Sequence, residues 1–181
     1  MSDVVYSHAG VKIEVSTLPQ NEDLTEAEYE ALSYVQVSNV GALGEYGIST
    51  NIISYDTTNT VVTRKAKGIS DAGNPTIECA RSDSDAGQDL LIFAGVPNRY
   101  DAYAFKITKQ DGAIDYMRGL VSGPVSPSGR NEDFDIYVFT MALLQKPQHV
   151  SSGGGGGGEW LFATGVLTAD GVITSDGIIP A

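Results

Sequence analysis

The chain has 181 residues, with 23 acidic against 11 basic side chains and a net charge of −12. That balance argues against nucleic-acid binding, which draws on surplus Lys and Arg to release phosphate counterions. A single cysteine, Cys79, rules out an internal disulfide, and no apolar run approaches the roughly 20 residues of a membrane-spanning helix.

The length fits one domain with extensions. The first ten residues lack the basic start and apolar core of a signal peptide, so the product is expected in the cytoplasm where it is made. Val11, Ile13 and Val15 then alternate with Lys12, Glu14 and Ser16, the period-two pattern of a half-buried strand. A turn-rich break covers residues 19–23. Thr25 with Glu28 three residues later has the form of a capping box and predicts a short helix or helical turn. Glu22, Asp23, Glu26, Glu28 and Glu30 cluster here and read as a solvated helix face. Residues 34–40 predict a short strand. Residues 46–55 and 61–68 are both β-rich. They flank Asp56, Thr57, Thr58, Asn59 and Thr60, which predicts a long hairpin with an open polar tip. A turn at 71–75 precedes another strand at 76–80.

The best helix signal starts at Ser82, Asp83 and Ser84, all N-cap residue types. Ala86, Leu90, Leu91 and Ala94 form its apolar stripe, and Gly95 and Pro97 end it. A helix of about 12 residues is about 18 Å long, enough to cover one face of a small sheet. Next, Tyr103, Phe105 and Ile107 alternate with Ala104, Lys106 and Thr108. Asp111-Gly112 predicts a primed hairpin turn, and residues 114–121 return. Pro124 and Pro127 break that run. Residues 134–144 predict a strand apolar on both faces, with Phe134, Ile136 and Val138 on one side and Tyr137, Phe139 and Met141 on the other. With one good helix available, the second cover is expected to come from another subunit.

Ser151, Ser152 and the six glycines at 153–158 read as a flexible linker. They lack the G-K-[ST] ending of a phosphate loop. Beyond them, residues 160–167 are β-like, and Asp170-Gly171 and Asp176-Gly177 punctuate a weak repeat. The expected organisation is a β domain over 1–147, a linker over 148–158 and a short β-rich arm over 159–181. The expected fold is mainly β: an antiparallel sandwich or barrel with one flanking helix.

Catalytic constellations are missing. His8 and His149 are the only histidines. Both lie near turns or termini, without metal-ligand spacing to a second His or Cys, and read as solvated surface residues. Cys79 reads as a small buried strand residue. Residues 119–123 have the wrong spacing for a nucleophile elbow. Asp83, Ser84, Asp85 and Gly87 have a faint calcium-loop form, but the glycine is one position early and Ala94 stands where the bidentate Glu is needed. Two Asp-Gly pairs are thin evidence for a calcium repeat. An acidic pair for glycoside hydrolysis has no aromatic cleft signature beside it. No catalytic residue, metal or cofactor is expected.

The order of features carries more than any one motif. Thr63 to Gly68 is followed by Asp71-Ala72-Gly73, a strand with Thr76 and Ile77, and then Asp85-Ala86-Gly87-Gln88 opening the good helix. Tyr103 to Ile107 next pairs across Asp111-Gly112 with Tyr116 to Val121, and a final long strand follows. This series resembles the major tail-tube proteins of long, non-contractile bacteriophage tails and of gene transfer agents, over roughly residues 10 to 147. The resemblance implies a β sandwich flanked by one helix, in hexameric rings that stack into a tube. It implies a structural virion role, as a conduit for DNA ejection, with no enzymatic activity. It implies that the chain's main partner is itself, with tape-measure protein and phage DNA in the lumen without specific binding. Tail terminator and distal tail proteins would cap the ends, and no membrane is involved. The 56–60 hairpin tip would reach the adjacent ring. The arm after 147 departs from the family pattern and is too short for an added immunoglobulin-like domain.

On that reading an acidic lumen lets DNA slide without binding. Glu45, Asp115 and Asp135 are the candidate lumen acids. Arg64, Lys65 and Lys67 are expected to pair with acids across a subunit boundary. Two rivals stand beside it: a tail terminator or baseplate hub ring of the same fold, and a carbohydrate-binding β sandwich, for which Trp160 is the one exposed-aromatic candidate.

Overall fold

A computed structural model describes residues 7–59 and 61–152. Thr60, the glycine linker at 153–158 and the arm at 159–181 lie outside the described residues. In chain order the elements are β1 (Lys12–Ser16), α1 (Glu26–Ala31), β2 (Tyr34–Val37), β3 (Val40–Leu43), β4 (Ser49–Tyr55), β5 (Arg64–Asp71), β6 (Thr76–Ala80), α2 (Ala86–Ala94), β7 (Ala102–Thr108), β8 (Ile114–Val125), β9 (Ile136–Leu143) and β10 (Gln148–Val150). The main sheet runs β2-β1-β7-β8-β9-β6-β3, with β10 also on β8, and every pairing is antiparallel.

The two ends of this path, β2 and β3, are separated in sequence by Ser38 and Asn39 alone. Two residues cannot span a flat sheet of this width, so the sheet curls until its edges meet at a corner. Asn39 turns that corner at φ 57°, a conformation Asn tolerates better than most residues. The expected single strand at 34–40 is therefore two strands at opposite sheet edges.

Strand alternation sends Ile13, Val15, Phe105, Ile107, Met117, Ile77, Phe139 and Met141 to the inside of the curl, where they form the main core with Leu91 and Ala94 of α2. Helix α2 begins one step later than the sequence suggests. Asp85 is its N-cap, accepting from the backbone N–H of Gln88 at 2.8 Å and of Ser38 at 3.0 Å. Gln88 is fully buried. It accepts from the Ser82 N–H and donates to the Ser38 and Ala80 carbonyls. One cap and one amide thus lock the β2–β3 corner, the end of β6 and α2 together. Gly87 permits this, because a Cβ there would lie 2.3 Å from the Gln36 carbonyl oxygen on β2.

On the outer face, α1 covers β7 and β8. Its Tyr29 stacks on Tyr116 at 5.1 Å, and the pair is buried with Ala104. The capping box at Thr25 and Glu28 is present. Among the described residues there are two helices, α1 on the outer face of the sheet and α2 against the core.

Further sequence expectations are corrected. The β7–β8 turn is not primed. Gly112 N–H bonds to the Lys109 carbonyl and Lys109 N–H to the Ala113 carbonyl, with positive φ at Gly112 alone. That is a three-residue loop with a glycine bulge. Strand β8 runs on through Pro124 to Val125: its pairing with β7 ends at Leu120 and its ladder with β9 shifts between Ser122 and Val125, so the missing N–H of Pro124 falls at an irregularity where it is tolerated. Strand β9 starts only at Ile136, and Phe134 is 85% exposed. One β9 face, with Phe139, Met141 and Leu143, is buried; the other, with Ile136, Val138 and Ala142, is half-buried. Residues 148–150, expected in the linker, form β10 against Ile114, Asp115 and Tyr116. In effect β9 and β10 are one broken strand along β8. The break holds Gln145, whose side chain bonds Leu24 N–H and carbonyl and the Tyr29 hydroxyl. Buried Arg118 ion-pairs with Asp23 beside it. This clamp ties the α1 approach to the sheet.

Candidate assembly surface

The chain that leaves β3 does not go straight to β6, its sheet neighbour. It first makes the β4–β5 ribbon, a separate two-stranded sheet. Its register pairs Ile52 with Lys67, Ile53 with Ala66, Ser54 with Lys65 and Tyr55 with Arg64, with a bulge near Asn51. Residues directly opposite share a face. Lys65, Lys67, Ile52 and Ser54 therefore lie on one face, and Arg64, Ala66, Ile53 and Tyr55 on the other.

An isolated two-stranded ribbon is marginal in water, and this one hides little of itself. Ile52, Ile53, Val61 and Val62 are exposed, Tyr55 is 72% exposed and Ile69 89%. Half of the large exposed apolar side chains of the described chain sit on or beside this ribbon. Patches of that kind mark interaction surfaces. The sequence foresaw the hairpin and its polar tip but not the apolar exposure of its arms, since a β-rich run reads the same whether its cover is its own chain or another.

The ribbon also differs in charge. Residues 49–71 carry Arg64, Lys65 and Lys67 against Asp56 and Asp71, which is +1; the remaining 158 residues carry eight basic and 21 acidic side chains, which is −13. Arg64, Lys65 and Lys67 are exposed and enter no ion pair among the described residues. At the tip, Asp56, Thr58 and Asn59 are exposed and Thr57 is partly covered, while Thr60 is outside the described residues. Glu45 is exposed at the root of the ribbon, beside Tyr46 and Gly73.

The other two candidate acids are engaged within the chain. Asp135 accepts from Arg81 at 3.2 Å and holds the Arg81 N–H through its carbonyl. Asp115, expected at a channel surface, is a buried strut with its side chain 6% exposed. Its carboxylate accepts from Tyr46 at 2.5 Å, Lys109 at 2.7 Å and the His149 ring nitrogen Nδ1 at 2.6 Å. Burial pushes its pKa up, but those three hydrogen bonds and the Lys109 charge outweigh burial and leave it below the ordinary carboxylate value. The same burial, with the Asp115 bond, drives the Tyr46 hydroxyl well above its usual value. His149 was expected as a free surface histidine. It is 57% exposed but tied to Asp115, because β10 brings it alongside β8.

An Asp–His contact invites a chemical reading, but this one lacks the third member. Among the described residues no hydroxyl or thiol bonds to His149, and Cys79 lies in the core with its thiol directed to the Tyr137 carbonyl. Burial raises that thiol to about 11, away from the reactive thiolate form. No group of three metal-ligating side chains occurs among the described residues.

The fold recurs in injection machinery. A chain of the extracellular contractile injection system PVC sheath/tube terminator in its extended state matches with TM-score 0.59, over 83% of this chain and 100% of that one, at 11% identity. A chain of the anti-feeding prophage baseplate, six-fold symmetrised, matches with TM-score 0.57, over 84% and 99%, at 8% identity. A chain of the anti-feeding prophage tube-terminating cap matches with TM-score 0.53, over 83% and 95%, at 14% identity. At such identities the likeness is one of fold. No protein-family model and no curated protein matches the sequence.

Proposed function

We propose that this protein is a structural tail component, a subunit that assembles with copies of itself into the tube of a phage-type tail, without catalysis. The observation that carries this reading is the β4–β5 ribbon. It holds out apolar side chains that no other described residue covers, and fully burying one such side chain is worth about 1.5–3 kcal/mol. Three cations that enter no ion pair among the described residues stand beside them and would set the orientation of a neighbour. The half-buried outer face of β9 is a second surface for subunit contact. The fold shared with tube-terminator, cap and baseplate structures supports a place in a tail. In the tube, the acidic remainder of the chain would repel DNA, with Glu45 as the remaining free candidate for the lumen.

A second reading is a single ring of the same fold, at the tube terminus or baseplate, and the identity of the three structural neighbours favours it. Negative-stain microscopy of the purified chain separates the two. Long hollow tubes fit the tube subunit, and isolated rings that do not stack fit the terminator. A monomer at all concentrations would refute both.

A further inference from the structure

The ribbon's cations need a counterpart, and the chain's own charge map narrows it. Among the described residues, five of the 11 basic side chains are in ion pairs: Arg81, Arg99, Lys106, Lys109 and Arg118. Of the other six, three are Arg64, Lys65 and Lys67. The acids sort the same way. Glu14, Asp23, Asp83, Asp101, Asp115 and Asp135 are paired. Asp85 caps α2, and the side chains of Asp71, Asp111 and Asp133 accept local backbone N–H groups. Among the described residues, α1 is the one helix or strand presenting two exposed, unpaired carboxylates at a fixed spacing, Glu26 and Glu30.

The spacings correspond. Lys65 and Lys67 share a ribbon face and stand two residues apart on a strand, about 6.8 Å. Glu26 and Glu30 share a helix face four residues apart, about 6 Å along the axis. Like charges at that spacing repel, so a pair of cations laid along them relieves a strain that α1 carries alone. Tyr29 anchors α1 on Tyr116, and Glu26, Ala27, Glu30 and Ala31 stay exposed around it.

We infer that the Lys65–Lys67 face of the ribbon docks on α1 of a second copy of this chain, with Lys65 and Lys67 set against Glu26 and Glu30, and with Ile52, opposite Lys67 on the same ribbon face, covering α1's small exposed side chains. This rests on the self-assembly reading above and adds the receiving surface. The contact joins a ribbon to a helix on a different part of the fold, so it is head-to-tail and propagates from copy to copy.

The test is a charge exchange on the full chain. Wild type, Lys65→Glu/Lys67→Glu, Glu26→Lys/Glu30→Lys and the quadruple exchange are compared by sedimentation velocity and negative stain, with thermal melting to show that each subunit is folded. Glu26→Gln/Glu30→Gln serves if the reversed α1 melts early. Each double variant should raise the concentration needed for assembly by roughly tenfold or more, and the quadruple exchange should restore most of that loss. An α1 variant that assembles like wild type, or a quadruple exchange that restores nothing, overturns the inference. If Lys65→Glu/Lys67→Glu alone blocks assembly, the ribbon reading stands and α1 is the wrong acceptor. If wild type never associates, the reading beneath falls too.

Discussion

Replacing Asp115 with Asn separates a channel-lining acid from a structural one. The substitution keeps the shape and removes the charge that three donors converge on, at 2.5, 2.6 and 2.7 Å. Lys109 would then lose its partner beside a buried amide. Charge-assisted hydrogen bonds are worth about 1.5–3 kcal/mol, so a loss of that size is expected. For a domain of this size it corresponds to a fall in Tm of about 4–10 °C. The loss should depend on pH with a definite sign. Asp115 is held below its ordinary value in the fold, so its contribution is present above about pH 4, the unfolded carboxylate value, and fades as pH falls through the lower folded value. Differential scanning fluorimetry of wild type and Asp115→Asn between pH 7 and pH 3 reads both effects, with the gap closing at the acid end. Equal Tm values at pH 7 would refute the strut and return Asp115 to the surface candidates.

Other outcomes follow from the same geometry. Gly87→Ala sets a methyl group 2.3 Å from the Gln36 carbonyl oxygen, and overpacking of this kind costs about 1–3 kcal/mol; calorimetry should show a lowered Tm with the helix content retained. Truncation after residue 147 removes β10 and the His149 bond to Asp115, so it should melt earlier than truncation after residue 152, a comparison that circular dichroism makes directly. Deleting residues 56–60 should leave the subunit's melting temperature within about 2 °C, as for a change confined to an exposed loop tip. It should also abolish stacked tubes in negative stain; normal tubes from this deletion would remove the hairpin tip from the contact.

The sequence made the secondary structure legible where a residue's role is local. Thr25 and Glu28 announced a capping box, and Val11 to Ser16 announced a strand, because caps and period-two alternation are read within a few residues. The split at Ser38 and Asn39 was not legible. It depends on the sheet curling until β2 and β3 meet, which no local pattern records. The primed turn failed for a related reason. Asp-Gly permits two hairpin loops, and the register of Lys109 with Ala113 selects the bulged one. Asp115 was misplaced because an acid on an alternating strand reads as solvent-facing. Its three partners come from Tyr46, Lys109 and His149, as far as 69 residues away in sequence. The ribbon was half legible: its strands and cations were visible, but the exposure of Ile52, Tyr55 and Ile69 belongs to the three-dimensional arrangement.

A self-assembling tail subunit must cover that ribbon in its working state. Amide hydrogen exchange followed by mass spectrometry, on monomer and assembled protein, measures this directly for residues 49–71. Slowed exchange across β4 and β5 on assembly, with the buried β7–β8 core unchanged, is the predicted result. Assemblies in which the ribbon exchanges as fast as it does in the monomer would contradict the central claim.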